Sequence, residues 1–371
     1  MILPTQACLD SQAATRRAFA QMSATNLQDN VRQLQHMVGD AKLIAMVKAN
    51  GFGHGIRSCA LQLESLVSAF GVAHVEEARV LREVGITNTI LLMEGVYSAD
   101  EMALADRLQV DVVVHTESQV DWLAELDSPS KLRVWLKVDT GMGRLGCDIG
   151  VFNSLYKRLQ RCSKVAQPVG IMSHLACASQ PDHPLNTKQL AHFKALRAHV
   201  AGPASVCNSA AIMHFKEHYY DYVRPGLAMY GVSPTALPAS SYGLKSVMTL
   251  KSKVIAVKIF QPGQSIGYDA KYVCQQVMRV AIVAIGYGDG YPRNVATDAN
   301  VLINGVRCRI VGSISMDMLS VDVSHCAEAV EGDEVTLWGV GLPIEEVARF
   351  SKRSCYELLT SVQHRVKFIW T

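Results

Sequence analysis

Ile44-Ala-Met-Val-Lys-Ala-Asn-Gly-Phe-Gly-His-Gly55 begins as four apolar residues and ends as a loop with glycine at 51, 53 and 55. Lys48 stands at the junction. A short apolar run closing on a charged amine and a glycine-rich loop reads as a buried strand whose C-terminal end faces a site. Seven further runs of this kind follow: Ala69–Ala73, Thr89–Met93, Val110–Val114, Arg133–Val138, Val169–Ser173, Ser205–Cys207 and Tyr222–Arg224. Helix-like segments separate them, among them Asn26–Met37, His74–Glu83, Ser98–Arg107 and Thr187–His199, with apolar residues at three- and four-residue spacing such as Leu190, Phe193 and Leu196. Strands alternating with helices imply parallel pairing. Eight such units predict an N-terminal (β/α)8 TIM barrel; an open doubly wound sheet is the other arrangement the count permits.

In such a barrel the reactive groups gather at the C-terminal ends of the strands. Here the runs end on or beside Lys48, His74, Glu94, His115, Lys137, His174, Asn208 and Arg224. The texture changes at residues 231–243, where proline, serine and glycine cluster as in a linker. Strand-like runs then follow at Met248–Val257, Met278–Ile285, Val301–Ile303, Arg307–Val311, Leu319–Val323 and Glu334–Leu337, interrupted by one short helix over Pro343–Phe350. Asn304 and Gly305 between two short runs predict a hairpin. The expected organisation is an N-terminal extension (1–19), the barrel (20–237) and a C-terminal mostly β domain (238–371).

With 371 residues, 49% hydrophobic and 19% charged, the chain supplies a sizeable core. Its net charge of +3, with no run of lysine and arginine, gives no footprint for nucleic acid. Ten cysteines form no C-x-x-C pair and no zinc-type spacing, so neither a metal site nor a disulfide framework is expected. The first residues lack a basic segment leading into an apolar one, and no uncharged apolar run approaches the roughly 18 residues a membrane helix needs. A cytoplasmic protein is expected.

A lysine at a barrel mouth has a specific use, because low dielectric disfavours its ammonium form and a neutral amine forms Schiff bases with aldehydes. "GFGHG" lacks the spacing of a nucleotide fingerprint. "CNSAA" (Cys207–Ala211) and "VRPGLAMYG" (Val223–Gly231) follow the last two strands, where barrels hold phosphate on backbone N–H groups. Ser209 offers a hydroxyl there, Gly226 an unobstructed amide and Arg224 a positive charge. In "WLKVDTGMGRLG" (Trp135–Gly146) two glycines shape a loop delivering Arg144, a carboxylate clamp. A Schiff-base lysine beside a phosphate site suits a phosphorylated aldehyde, either pyridoxal phosphate or a sugar phosphate.

The motifs "MVKANGFGHG", "KVDTGMGRLG", "SHLA", "NSAA", "VRPGLAMYG", "IGYDAKY", "IGYGDGYPR", "SMDM" and "CYELL" occur in this order. Together, from about residue 20 to near the C-terminus, they resemble alanine racemase, a fold-type III pyridoxal 5′-phosphate enzyme. The resemblance implies that Lys48 carries the cofactor and is one catalytic base, and that Tyr268 is the other. It implies that Arg224 faces the pyridine nitrogen, that Ser209, Gly226, Leu227 and Tyr356 hold the phosphate, and that His174 supports Tyr268. Arg144 and the backbone of Met316 match contacts to the substrate carboxylate. Lys137 matches a lysine that is often carbamylated and orients the arginine. Tyr287, Arg293 and Asp317 match residues lining the entrance.

The implied activity is interconversion of L- and D-alanine, supplying D-alanine for bacterial peptidoglycan, in a head-to-tail homodimer with Tyr268 entering the partner's site. Phe52 departs from the family, standing where a tyrosine hydroxyl usually reaches the phosphate. The motifs leave open a racemase of other amino acids (serine, lysine, arginine). A decarboxylase, a non-catalytic pyridoxal-phosphate carrier and a Schiff-base aldolase are weaker alternatives. The carrier usually lacks the β domain that here contains Tyr268.

Overall fold

The computed structural model describes residues 17–371 apart from Thr297. Of the expected N-terminal extension, residues 1–16 lie outside the described residues. The chain forms two compact units: Leu27–Lys245, and Ser246–Thr371 joined by the described residues up to Asn26.

The first unit is an eight-stranded parallel sheet, β2 (Lys42–Met46), β3 (Ala69–Val72), β4 (Thr89–Leu92), β5 (Asp111–Val114), β6 (Leu132–Lys137), β7 (Val165–Met172), β8 (Ala204–Ser205) and β9 (Tyr222–Val223). Neighbours pair in chain order, and β9 pairs in parallel with β2. The ring closes between the two shortest strands. Asn208 and Arg224 form an isolated parallel bridge there, the Arg224 N–H donates to the Cys207 carbonyl at 2.8 Å, and the Ser205 hydroxyl donates to the Tyr222 carbonyl at 2.8 Å. All four residues of β3 and of β5 are buried, because parallel strands are covered on both faces. The (β/α)8 barrel read from the apolar runs is therefore the observed architecture. The helix predicted over 187–199 runs Pro184–Arg197, started by Pro184 in its first turn and by a His183 ring nitrogen that accepts from the Leu185 N–H.

The second unit is built on an eight-stranded sheet, ordered β13 (Met278–Val283), β16 (Leu319–Asp322), β15 (Val306–Val311), β14 (Asn300–Ile303), β17 (Glu334–Trp338), β10 (Met248–Phe260), β1 (Phe19–Met22) and β18 (Lys367–Trp370). The long strand β10 pairs with β17 over Leu250–Lys253. From Val254 to Phe260 it pairs with β13 instead, with a register shift between Val254 and Ala256, so the sheet returns on itself. The hairpin at Asn304 and Gly305 forms as predicted, both residues having positive φ.

Two features differ from the sequence reading. Phe19–Met22 pairs antiparallel with β10 and parallel with β18, so the residues just after 19 belong to this sheet rather than to the barrel. Two helices, Ile344–Ser351 and Cys355–Ser361, stand where one was expected. Ser354 caps the second, accepting from the Glu357 N–H while the Glu357 carboxylate accepts from the Ser354 N–H.

Candidate functional site

Lys48 follows β2 after a single residue, Val47, and opens an unusual segment. Ala49, Asn50, Gly51 and Phe52 all have positive φ (52°, 53°, 63° and 51°), a full turn of left-handed helix. Each non-glycine residue there costs about 1–2 kcal/mol. The turn keeps a helical ladder, with the Gly51 N–H on the Val47 carbonyl at 2.7 Å and the Gly53 N–H on the Ala49 carbonyl at 3.0 Å. Gly53 and Gly55, both at positive φ, carry the chain on from its end. The Asn50 side chain then accepts from the Ile56 N–H at 2.9 Å, at the start of the helix Ile56–Leu63.

Around Lys48 the other strand ends gather positive charge. Lys137, the last residue of β6, is buried, and its ammonium is brought down to about 8 by burial first and then by Arg224, Arg144 and Lys48. Arg224, following β9, is buried and held down to about 10 by burial, which leaves it cationic near neutrality. Its guanidinium donates to the Ser205 hydroxyl and to the Ser173 carbonyl, both at 2.6 Å, and faces His174 Nδ1 at 3.3 Å. The other His174 nitrogen faces the Asn208 amide at 3.4 Å. Burial, then Arg224, Arg144, Lys137 and Lys48, hold this imidazole neutral.

Ser209 begins a short helix capped by Asn208, and its hydroxyl oxygen accepts from the N–H groups of Gly226 (2.9 Å) and Ala228 (3.3 Å). Leu227 lies between them, starting a single 3-10 turn. Gly226 is required by packing: a Cβ there would sit 2.8 Å from Cζ of Phe52. Arg144 is exposed on a loop gathered by Asp139, whose carboxylate accepts from the N–H groups of Gly141, Met142, Gly143 and Arg144 at 2.7–3.1 Å.

The second unit brings together another group of the predicted residues. Tyr268 sits on a one-turn 3-10 segment between β11 (Ser265–Ile266) and β12 (Tyr272–Val273), with 66% of its surface exposed. Met316 is half exposed in a loop tied to the Tyr287 segment, since Ser315 and Met316 carbonyls accept from the Tyr287 (3.1 Å) and Gly288 (2.8 Å) N–H groups. The Arg293 guanidinium lies 5.6 Å from the Tyr287 ring centre. Arg365 pairs with Asp289 at 2.8 Å and with Asp317 at 2.5 Å, joining both segments to the C-terminal one. Tyr356 lies in the first turn of its helix, about half exposed.

Residues 22–234 match the family model for the alanine racemase N-terminal domain, and residues 247–370 the model for its C-terminal domain. The chain belongs to the alanine racemase family. Its activity is the isomerase reaction that interconverts L- and D-alanine. An alanine racemase from Shewanella loihica is 40% identical over 348 residues, covering 94% of this chain and 97% of that one. The crystal structure of the biosynthetic alanine racemase of Pseudomonas aeruginosa superposes with a TM-score of 0.93 at 36% identity, covering 96% and 100% of the two chains. That of Bartonella henselae, described with covalently bound pyridoxal phosphate, superposes at 0.87 with 32% identity over 96% and 99%.

Within this racemase fold, several residues near the site escaped the sequence reading of roles. Glu94 lies 3.8 Å from Lys48 Nζ and accepts from the Tyr97 hydroxyl at 2.9 Å. Asp139, Glu77 and His54 act through backbone N–H and C=O groups, for which no motif exists. Phe52, the family departure, is buried and stacked on Tyr230 at 5.2 Å between ring centres.

Proposed function

We propose that this alanine racemisation runs on pyridoxal phosphate seated at the barrel mouth, with Lys48 and Tyr268 as opposed bases. The observation that carries the reading is the convergence of Lys48, Lys137, Arg144 and Arg224 on one mouth, where Arg224, Arg144 and Lys48 work against the charge of Lys137 and Glu94 favours it. Such a mouth fits an anionic guest with a phosphate and a phenolate, met by an anionic substrate. Ser209, Gly226, Leu227 and Tyr356 would hold the phosphate, and Arg224 the ring nitrogen. When bound, the cofactor accepts the electron pair left at Cα as its hydrogen departs as a proton.

The chain's own residues do the rest. Arg144 and the Met316 N–H hold the substrate carboxylate, which fixes the Cα–H direction. Lys48 takes or returns the proton on one face, and Tyr268 does so on the other, with His174 as its support. Arg224 stays cationic near neutrality, and a cation there would disfavour protonation of a ring nitrogen held beside it. A Lys137 amine brought down to about 8 is partly neutral under working conditions, the form that adds carbon dioxide. Carbamylation there would place a negative charge amid the cations and orient Arg144. Tyr287, Arg293 and Asp317 line the approach.

The exposure of Tyr268 and Met316 supports a head-to-tail homodimer in which Tyr268 enters the partner's site. No helix among the described residues is long and apolar enough to cross a membrane, and we place the protein in the cytoplasm, supplying D-alanine to peptidoglycan. The test is a panel of L-amino acids, including serine, lysine and arginine, assayed for D-product. Alanine should lead, and the bound chromophore should disappear in Lys48→Ala. If Tyr268→Phe keeps full rates in both directions, the two-base assignment is wrong.

A further inference from the structure

We propose that Glu77 and His54 are positioning residues that lock the left-handed turn after Lys48 and so aim its amine into the barrel mouth. The inference rests on Lys48 carrying the cofactor. A turn of four consecutive left-handed residues, three of them not glycine, persists only when its surroundings over-determine it. Two side chains from outside the turn's own ladder do so.

Glu77, in the first turn of the helix Val75–Glu83, uses both carboxylate oxygens. Oε1 accepts from the Ala49 N–H at 2.7 Å, and Oε2 accepts from the Ala73 N–H at 2.8 Å. Ala73 immediately follows β3 and Ala49 immediately follows Lys48, so one carboxylate ties the residue beside the reactive lysine to the neighbouring strand end. Hydrogen bonds to an ionised acceptor are the strong kind. His54 holds the far side of the turn. It is fully buried, its Nδ1 lies 3.0 Å from the Phe52 carbonyl and 3.2 Å from that of Gly51, and its ring stacks on Tyr230 at 4.4 Å. Facing two carbonyls, Nδ1 must carry the hydrogen. Nε2 is buried without a hydrogen-bond partner, so the ring is retained at the cost of an unsatisfied atom.

The experiment compares wild type, Glu77→Ala, Glu77→Gln and His54→Phe as full-length holoenzymes. His54→Phe keeps a ring against Tyr230 and removes the donor. Three quantities are read: kcat and KM for alanine, the fraction of Lys48 carrying cofactor after borohydride trapping at fixed pyridoxal phosphate, and hydrogen exchange at the Ala49 amide. For Glu77→Ala we expect kcat to fall by about tenfold or more with KM within about threefold. Trapping at Lys48 should fall, and Ala49 exchange should rise about tenfold. Glu77→Gln, which keeps one acceptor oxygen, should lie between, and it decides the matter if Glu77→Ala does not fold.

Unchanged kcat and trapping in folded variants would overturn the proposal even if Ala49 exchanges faster, because the aim of Lys48 would then not depend on the anchor. Unchanged Ala49 exchange would overturn the anchor itself. A wild type that traps no cofactor on Lys48 instead refutes the cofactor reading beneath it.

Discussion

Replacing Phe52 by tyrosine should tighten the hold on pyridoxal phosphate. The Phe52 ring is fixed by its stack on Tyr230, and its Cζ lies 2.8 Å from where a Gly226 Cβ would be. A hydroxyl on Cζ therefore emerges beside Gly226, whose N–H meets the Ser209 hydroxyl, at the proposed phosphate seat. One new hydrogen bond to a charged acceptor is worth about 1.5–3 kcal/mol net, or roughly a 10- to 150-fold lower Kd. Part of that gain is offset if the oxygen crowds the Gly226 backbone. The assay is equilibrium titration of cofactor-stripped Phe52→Tyr with pyridoxal phosphate, followed by absorbance, with Tm measured alongside. Gly226→Ala is the opposing perturbation: its Cβ would push the same ring away and weaken binding. An unchanged or weaker Kd for Phe52→Tyr at unchanged Tm would show that the phosphate does not sit beside Cζ, and the seat would have to be moved.

The cofactor-free protein should lose stability in mild acid through its neutral histidines. Burial lowers His54 from 6.5 to about 4 and depresses His174 in the same sense, so between pH 6.5 and 4 the unfolded chain binds more protons and stability falls with pH. For His54 alone the loss is on the order of 2–3 kcal/mol, read as a fall in the urea midpoint from pH 7 to 4.5 that flattens in His54→Phe; equal slopes in both proteins would refute it. Arg365→Ala should raise the alanine KM more than it lowers kcat, because Arg365 joins the Asp289 and Asp317 segments that frame Met316. Arg365→Lys should restore part of the loss, and an unchanged KM would remove Met316 positioning from the role of this arginine.

The barrel was legible because parallel strands buried on both faces appear as unbroken apolar runs, and each run closes on a polar residue. Lys48, Lys137 and Arg224 stood out for that reason. The pairing of Phe19–Met22 was not legible: its four residues alternate weakly, and their partners lie some 230 and 350 positions away in β10 and β18. Nor was the left-handed turn. The glycines at 51, 53 and 55 hinted at positive φ, but Ala49, Asn50 and Phe52 are ordinary residues forced there by what surrounds them. Glu77 and Asp139 were invisible as site residues because what they bind is backbone, and backbone leaves no mark in a sequence pattern.

The seam that closes the barrel has a consequence for how the protein comes into being. Arg224 is at once a bridge across the last gap in the ring and, by the reading above, a cofactor ligand. A chain still emerging from the ribosome with residue 224 inside the exit tunnel already has Lys48 outside, yet has neither a closed ring nor a phosphate seat. On that reading, loading of the cofactor waits at least until the eighth strand docks.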